Sequence, residues 1–226
     1  MQVKTIPAGR SIEWFKQGWA IFSQDMKTWT LMALLFGVVA IVLNLVPFIG
    51  ALALLIIMPA LTGGMLYTAQ EAAHGHAIRV DYLWTVLRDA KKRPQFLLLG
   101  AIFLAAFVLF TLLSAGMISD TAMKDPYVGM RGIGVGSGVF MLFFGFLSFV
   151  LLNYSVALML FENMTALNAL QKAAAQGVTY IVPLLVFFIL YGIAGAIASI
   201  PFGLGLLVLI PVTMGAIYVS YQELFA

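Results

Sequence analysis

Three side chains with metal-binding chemistry stand in one short stretch, QEAAHGH at residues 70–76: Glu71, His74 and His76. A carboxylate and two imidazoles are zinc-type ligands, although a site needs about three or four converging donors. A second candidate is RGIGVGSG at 131–138, where glycines at 132, 134, 136 and 138 follow Arg131. Amides beside a guanidinium can hold a lipid phosphate. A phosphate-cradling loop, however, normally joins a strand to a helix and carries a following lysine, which is missing here. The same glycines supply two overlapping small-xxx-small patterns for close helix approach. Asp120 and Asp125 offer carboxylates for acid–base work, but nothing constrains them to meet, and Asp125-Pro126 reads more simply as a turn. The chain has no cysteine, which excludes thiolate ligation, disulfides and a thiol nucleophile.

The elements that must position these residues are membrane helices. The 226 residues are 63% hydrophobic and 9% charged, whereas a soluble domain carries about 25% charged residues. The stretches free of Asp, Glu, Lys and Arg are 28–70, 94–119, 132–161 and 173–222. A bilayer-crossing helix needs roughly 20 apolar residues. Six spans are therefore expected, at 28–46, 50–70, 95–118, 136–161, 179–199 and 203–222. Proline and glycine in NLVPFIG (44–50) and SIPFGLG (199–205) mark short reversals within the two longest runs. The fold class is all-α: a polytopic bundle of six membrane helices in hairpin pairs. The opening MQVKTIPAGRSIEW lacks the apolar core of a secretory signal, so a retained N-terminus is expected.

Lysines and arginines set the orientation. Lys4, Arg10, Lys16, Lys27, Arg79, Arg88, Lys91, Lys92, Arg93 and Lys172 fall on one side, against Lys124 and Arg131 on the other. The positive-inside rule then places both termini in the cytoplasm. The pI near 9.2 reflects topology and anionic lipid, and no nucleic-acid partner is expected. Arg88, Lys91, Lys92 and Arg93, together with Arg131, are the candidate lipid-headgroup contacts.

The chain also repeats. Residues 59–71, PALTGGMLYTAQE, align without gaps to 211–223, PVTMGAIYVSYQE. Pro59 meets Pro211, Gly63 meets Gly215, Gln70 meets Gln222 and Glu71 meets Glu223. The middle pair of spans ends in ALMLFEN, placing Glu162 where Glu71 and Glu223 sit. A segment of helical periodicity precedes each pair. In 11–25 the stripe is Ile12, Phe15, Trp19 and Phe22, with Ser11 as N-cap. In 80–92 it is Val80, Leu83, Trp84 and Leu87, and in 164–176 it is Leu167, Leu170 and Ala174. Each segment is expected to lie as an amphipathic helix in the cytoplasmic interface. Three units follow, at 11–73, 79–162 and 164–224, within a single transmembrane domain (1–226).

Trp14, Phe15, Gly18, Trp19, Phe22 and Trp29, then Pro47-Phe48-Ile49-Gly50 and Pro59, carry a resemblance to an uncharacterised family of six-helix inner-membrane proteins from Proteobacteria. More distantly, the chain is similar to the membrane domain of glycerophosphodiester phosphodiesterases. The resemblance implies a fold. The phosphodiesterase chemistry belongs to a separate soluble domain, so no catalytic residue is carried over.

No Asp, Glu, Lys or Arg lies within a span, which counts against an ion-coupled pump. Thr111, Ser114, Ser148, Ser155, Ser199 and Thr213 can return hydrogen bonds to their own helices. Asn153 needs a partner and is read either as interhelical glue or as part of a ligand cavity. The repeat removes Glu71 from the metal triad, because its counterparts Glu162 and Glu223 have no histidine nearby. His74 and His76 then flank Gly75 in a helix exit turn, and Glu71 is expected to pair with a basic residue of an interfacial helix. No catalytic residue, cofactor or metal is expected. The leading reading is a non-enzymatic membrane protein that binds lipid or a hydrophobic ligand, or serves as an accessory to other membrane proteins or to itself. The alternative is a transporter or channel for a small hydrophobic or lipidic solute. A membrane enzyme would need His74, His76 or the two aspartates to converge on a cavity.

Overall fold

The computed structural model describes residues 6–47, 49–115 and 135–225. Lys4, Phe48, Asp120, Lys124, Asp125, Arg131, Gly132 and Gly134 lie outside the described residues. Among those described, every regular element is helical: α1 (Arg10–Gln24), α2 (Met26–Asn44), α3 (Ile49–Ala73), a 3₁₀ segment (Val80–Trp84) running into α4 (Thr85–Arg88), α5 (Arg93–Ala115), α6 (Val135–Phe161), α7 (Ala166–Thr179), α8 (Ile181–Ser199) and α9 (Leu206–Leu224). Helices α2, α3, α5, α6, α8 and α9 are long and apolar enough to cross a membrane. They match the six expected spans to within a few residues.

Local chemistry sets the boundaries. Asp25 leaves helical geometry after α1, and its carboxylate accepts a 3.1 Å hydrogen bond from the Thr28 amide, capping α2. Gly75, at φ 76°, ends α3 and lets the His76 amide reach back to the Glu71 carbonyl at 3.0 Å. Pro59 and Pro211 sit inside α3 and α9, where each ring removes an i→i−4 hydrogen bond. Segment 80–92 is not the single helix its periodicity suggests. It closes as the 3₁₀ segment plus one α-turn, and Asp89 then stops it by capping the next helix: its carboxylate accepts from the amides of Lys91 and Lys92 at 2.8 and 3.2 Å.

The spans form two sets. Helices α3, α6 and α9 touch one another at the centre. Around them α2 bridges α9 and α3, α5 bridges α3 and α6, and α8 bridges α6 and α9. The burial of α3 and α9 follows: 50% and 56% of their membrane-length stretches are covered by protein, against 17% for each of α2, α5 and α8. One further segment rests on each central helix: α1 on α9, residues 80–88 on α3, and α7 on α6.

Those three contacts rely on small residues. A Cβ on Gly18 of α1 would strike the Val212 carbonyl of α9, and one on Gly215 would come within 3.0 Å of the Gly18 Cα. Gly64 of α3 likewise lies under the Leu83 carbonyl. On α7 the buried face is Ala166, Ala169 and Ala173. The expected stripes of larger apolar residues are split: Phe22 and Leu83 are buried, and Phe15 packs on Phe187 with ring centroids 4.8 Å apart. Ile12 and Trp19 are about half exposed and Leu167 more so, while the α1 face against protein is Ser11, Trp14, Gly18, Ile21 and Phe22. Nor does Ser11 cap the helix. It lies inside α1, which begins after Gly9, and its hydroxyl donates to the Pro183 carbonyl of α8 at 2.6 Å.

Candidate functional site

The central spans do not close on each other completely. Between them lies a cavity of about 320 Å³, reached by five of the six spans. Its wall is chiefly aromatic and thioether: Phe36 of α2, Met58 and Met65 of α3, Phe149 of α6, Phe188 of α8 and Met214 of α9. Methionine fits its flexible, polarisable side chain to irregular shapes, and aromatic rings supply large flat contact areas. On α6 the lining runs from Gly145 to Asn153, which at 1.5 Å per residue is roughly 12 Å of height near the middle of the span.

The lining has a register. Thr62, Asn153 and Met214 each lie nine residues before the glutamates at 71, 162 and 223, and all three line the cavity. Met58, Phe149 and Ile210, each thirteen residues before those glutamates, line it as well. The three central helices therefore present matched positions to one space.

Polar groups enter at that level. Asn153 is buried, and its amide nitrogen donates to the Phe149 carbonyl of its own helix at 2.8 Å. Its amide thus bridges no neighbouring helix, and it faces the cavity instead. Thr62 and Thr213, both buried, also line it. Thr111, Ser114 and Ser199 return their hydroxyls to their own helices as expected. Thr213 and Ser155 do not: among the described residues their buried hydroxyls have no hydrogen-bond partner, nor does the Trp29 indole nitrogen.

The three glutamates sit at one end of the bundle with different partners. Glu223 receives the Arg10 Nε at 2.9 Å and the Trp14 indole at 2.8 Å, both from α1. Glu162 takes Lys172 of α7 at 2.8 Å and the Tyr221 hydroxyl at 3.1 Å. Glu71 takes His76 Nδ1 at 3.0 Å, inside its own exit turn. Pairing between a span end and a basic residue of an adjoining segment, expected of Glu71, is thus realised at its two counterparts. His74 Nδ1 donates to the Gln70 carbonyl at 2.8 Å. Among the described residues no three His, Asp or Glu side chains converge as a metal would require.

The basic run at 88–93 is divided in use. Lys92 reaches the Leu160 carbonyl at the end of α6 at 3.1 Å, and Arg88 lies 3.7 Å from Asp81. Lys91 and Arg93 are exposed. The amides of Lys91 and then Lys92, both aimed at Asp89, hold its carboxyl below the usual carboxylate range. Arg131 lies outside the described residues.

No family model, curated protein or solved structure matches this chain. Function must be argued from the geometry of its own residues.

Sequence reading passed over Thr62 and the methionines of the cavity. Counting back nine and thirteen residues from Glu71, Glu162 and Glu223 would have found Thr62, Met58 and Met214, though not Met65.

Proposed function

We propose that this chain is a non-enzymatic membrane protein that holds a lipid-derived or other hydrophobic molecule between its three central spans. The observation that carries this reading is the cavity of about 320 Å³ at mid-span. Ligand pockets run from roughly 300 to 1,000 Å³, mostly apolar with a few placed polar groups.

The shared register of the lining supports three repeated units that build one site. The uncovered Ile12 and Trp19 support placing α1 along the bilayer interface, the lysine and arginine distribution supports cytoplasmic termini, and the resemblance to a proteobacterial inner-membrane family supports a bacterial inner membrane. The same reading leaves Lys91 and Arg93 to contact anionic headgroups.

Native mass spectrometry on protein extracted from its membrane tests the proposal. The expected spectrum carries a non-covalent hydrophobic adduct. In Gly145→Leu, whose new side chain fills the cavity, the adduct is lost. A bare chain that takes up no added lipid or apolar compound, or an equal adduct in the filled variant, overturns it.

A second reading, passage of a small lipidic solute, draws on Pro59 and Pro211 at matched depth in two of the cavity's walls. Each frees a backbone carbonyl and weakens its helix at that level. Vesicles reconstituted with the protein would then move a fluorescent lipid faster than empty vesicles, and equal rates would dismiss this reading.

A further inference from the structure

Building on the cavity as a hydrophobic site, we infer that its occupant is a neutral amphiphile whose single hydroxyl or carbonyl head is held at the level of Asn153, Thr62 and Thr213. The head, as well as the tail, is uncharged.

Two observations carry this. First, the lining residues include no Lys, Arg, His, Asp or Glu. A phosphate, carboxylate or ammonium head placed there would lose its hydration and meet no opposite charge, a cost far above that of an unpaired hydroxyl. A charged lipid can therefore lay only its chains in this site and must keep its headgroup outside. Second, the polar capacity at this level is unspent. Asn153 commits one amide hydrogen to the Phe149 carbonyl, which leaves a second N–H and the side-chain oxygen. Thr213 holds a buried hydroxyl without a partner, and Thr62 adds another hydroxyl on the facing helix. An amide offers both donor and acceptor, so it serves an alcohol, which needs both, or a ketone, which needs only the donor. Phe36, Phe149 and Phe188 and the methionines then receive the apolar body.

The division of labour within the matched register is informative. Of the three positions nine residues before the glutamates, two are polar (Thr62 and Asn153) and one is Met214. The three walls are therefore not equivalent, and a single ligand takes one orientation rather than three.

The experiment uses the full chain in lipid nanodiscs with a diazirine-bearing decanol as photoprobe, labelled residues being mapped by peptide mass spectrometry. Competitors of equal chain length are decanol, decanoate, decyltrimethylammonium and the headless decane. Labelling is expected on cavity residues of α3, α6 or α9, displaced by decanol at concentrations at least tenfold below those of either charged competitor. In Asn153→Leu the advantage of decanol over decane falls at least tenfold while decane still displaces the probe. Thr62→Val, a milder change that retains side-chain shape, reduces the same advantage by a smaller factor. Equal displacement by charged and neutral competitors overturns the neutral-head assignment and leaves the cavity reading standing. An unchanged advantage in both variants overturns the role of this polar level. No labelling of the cavity by the probe overturns the hydrophobic site itself.

Discussion

Helices α8 and α9 are joined by a short connection and are both 19 residues long, yet they live in different surroundings. Protein covers 56% of the membrane-length stretch of α9 and 17% of that of α8. The less buried helix is the more apolar: α8 carries Ile189, Ile193 and Ile197 outward, while α9 buries Thr213, Gly215, Ala216 and Ser220. In water the order would be reversed. In a bilayer the lipid tails solvate leucine and isoleucine as well as a protein interior does, so burial selects for close backbone approach and polar pairing. α1 repeats the lesson across one helix, with Trp14 and Gly18 toward protein and Ile12 and Trp19 away from it.

The sharpest way to break this comparison is to exchange large side chains on the two faces of α1. Trp14 is fully buried, meets Phe187 edge-on at 5.7 Å and donates to Glu223. Trp14→Ala is expected to cost about 3–5 kcal/mol, and Trp19→Ala less than about 0.5 kcal/mol. Chemical unfolding in mixed micelles measures both, and similar losses would erase the distinction between the faces. Next come the glycines. Gly64→Leu drives a side chain into the Leu83 backbone, with an expected loss of about 1–3 kcal/mol or more. Gly37→Leu on α2 meets nothing within 4 Å and should leave the melting temperature in detergent unchanged. A destabilised Gly37→Leu would show that something covers the outer face.

Smaller effects separate the glutamates. Glu223→Ala strands the Trp14 indole and the half-exposed Arg10, for about 1–3 kcal/mol. Glu71→Ala loses an exposed histidine partner and less than about 1 kcal/mol. A double-mutant cycle with Arg10 or His76 reads the pair terms directly. The smallest concerns Asp89, whose folded carboxyl titrates below its ordinary value of 3.8 because of the Lys91 and Lys92 amides. A lowered folded value stabilises the native state above the unfolded pKa, and that contribution disappears as pH falls through the folded one. Acid titration of thermal stability should therefore be shallower in Asp89→Asn; parallel curves would remove Asp89 from the account.

The six spans were legible because each is written in local composition. The stripes of α1 and α7 were legible as periodicity, but the partner of each face was not. Ile12 and Trp19 are apolar enough for either environment, and only the Gly18–Gly215 crossing, between residues distant in the chain, decides which face meets protein. Asn153 was legible as a residue in need of a partner, and its cavity appears only when α3, α6 and α9 are brought together. The fate of Glu71 turned on reach: His76 lies in the same turn, whereas Arg10 and Lys172 belong to segments resting on α9 and α6.

The contact between Arg10 and Glu223 joins residues 213 positions apart, and this has a consequence for biogenesis. A nascent chain can insert α2, α3 and the later spans one after another as each leaves the ribosome, because insertion depends on the apolarity of each segment alone. α1, synthesised first, must wait for α9 before Gly18 has a surface to rest on. During that interval the Trp14 face is open to any chaperone or neighbouring membrane protein. The contact of α1 with α9 therefore forms only after nearly the whole chain has been translated.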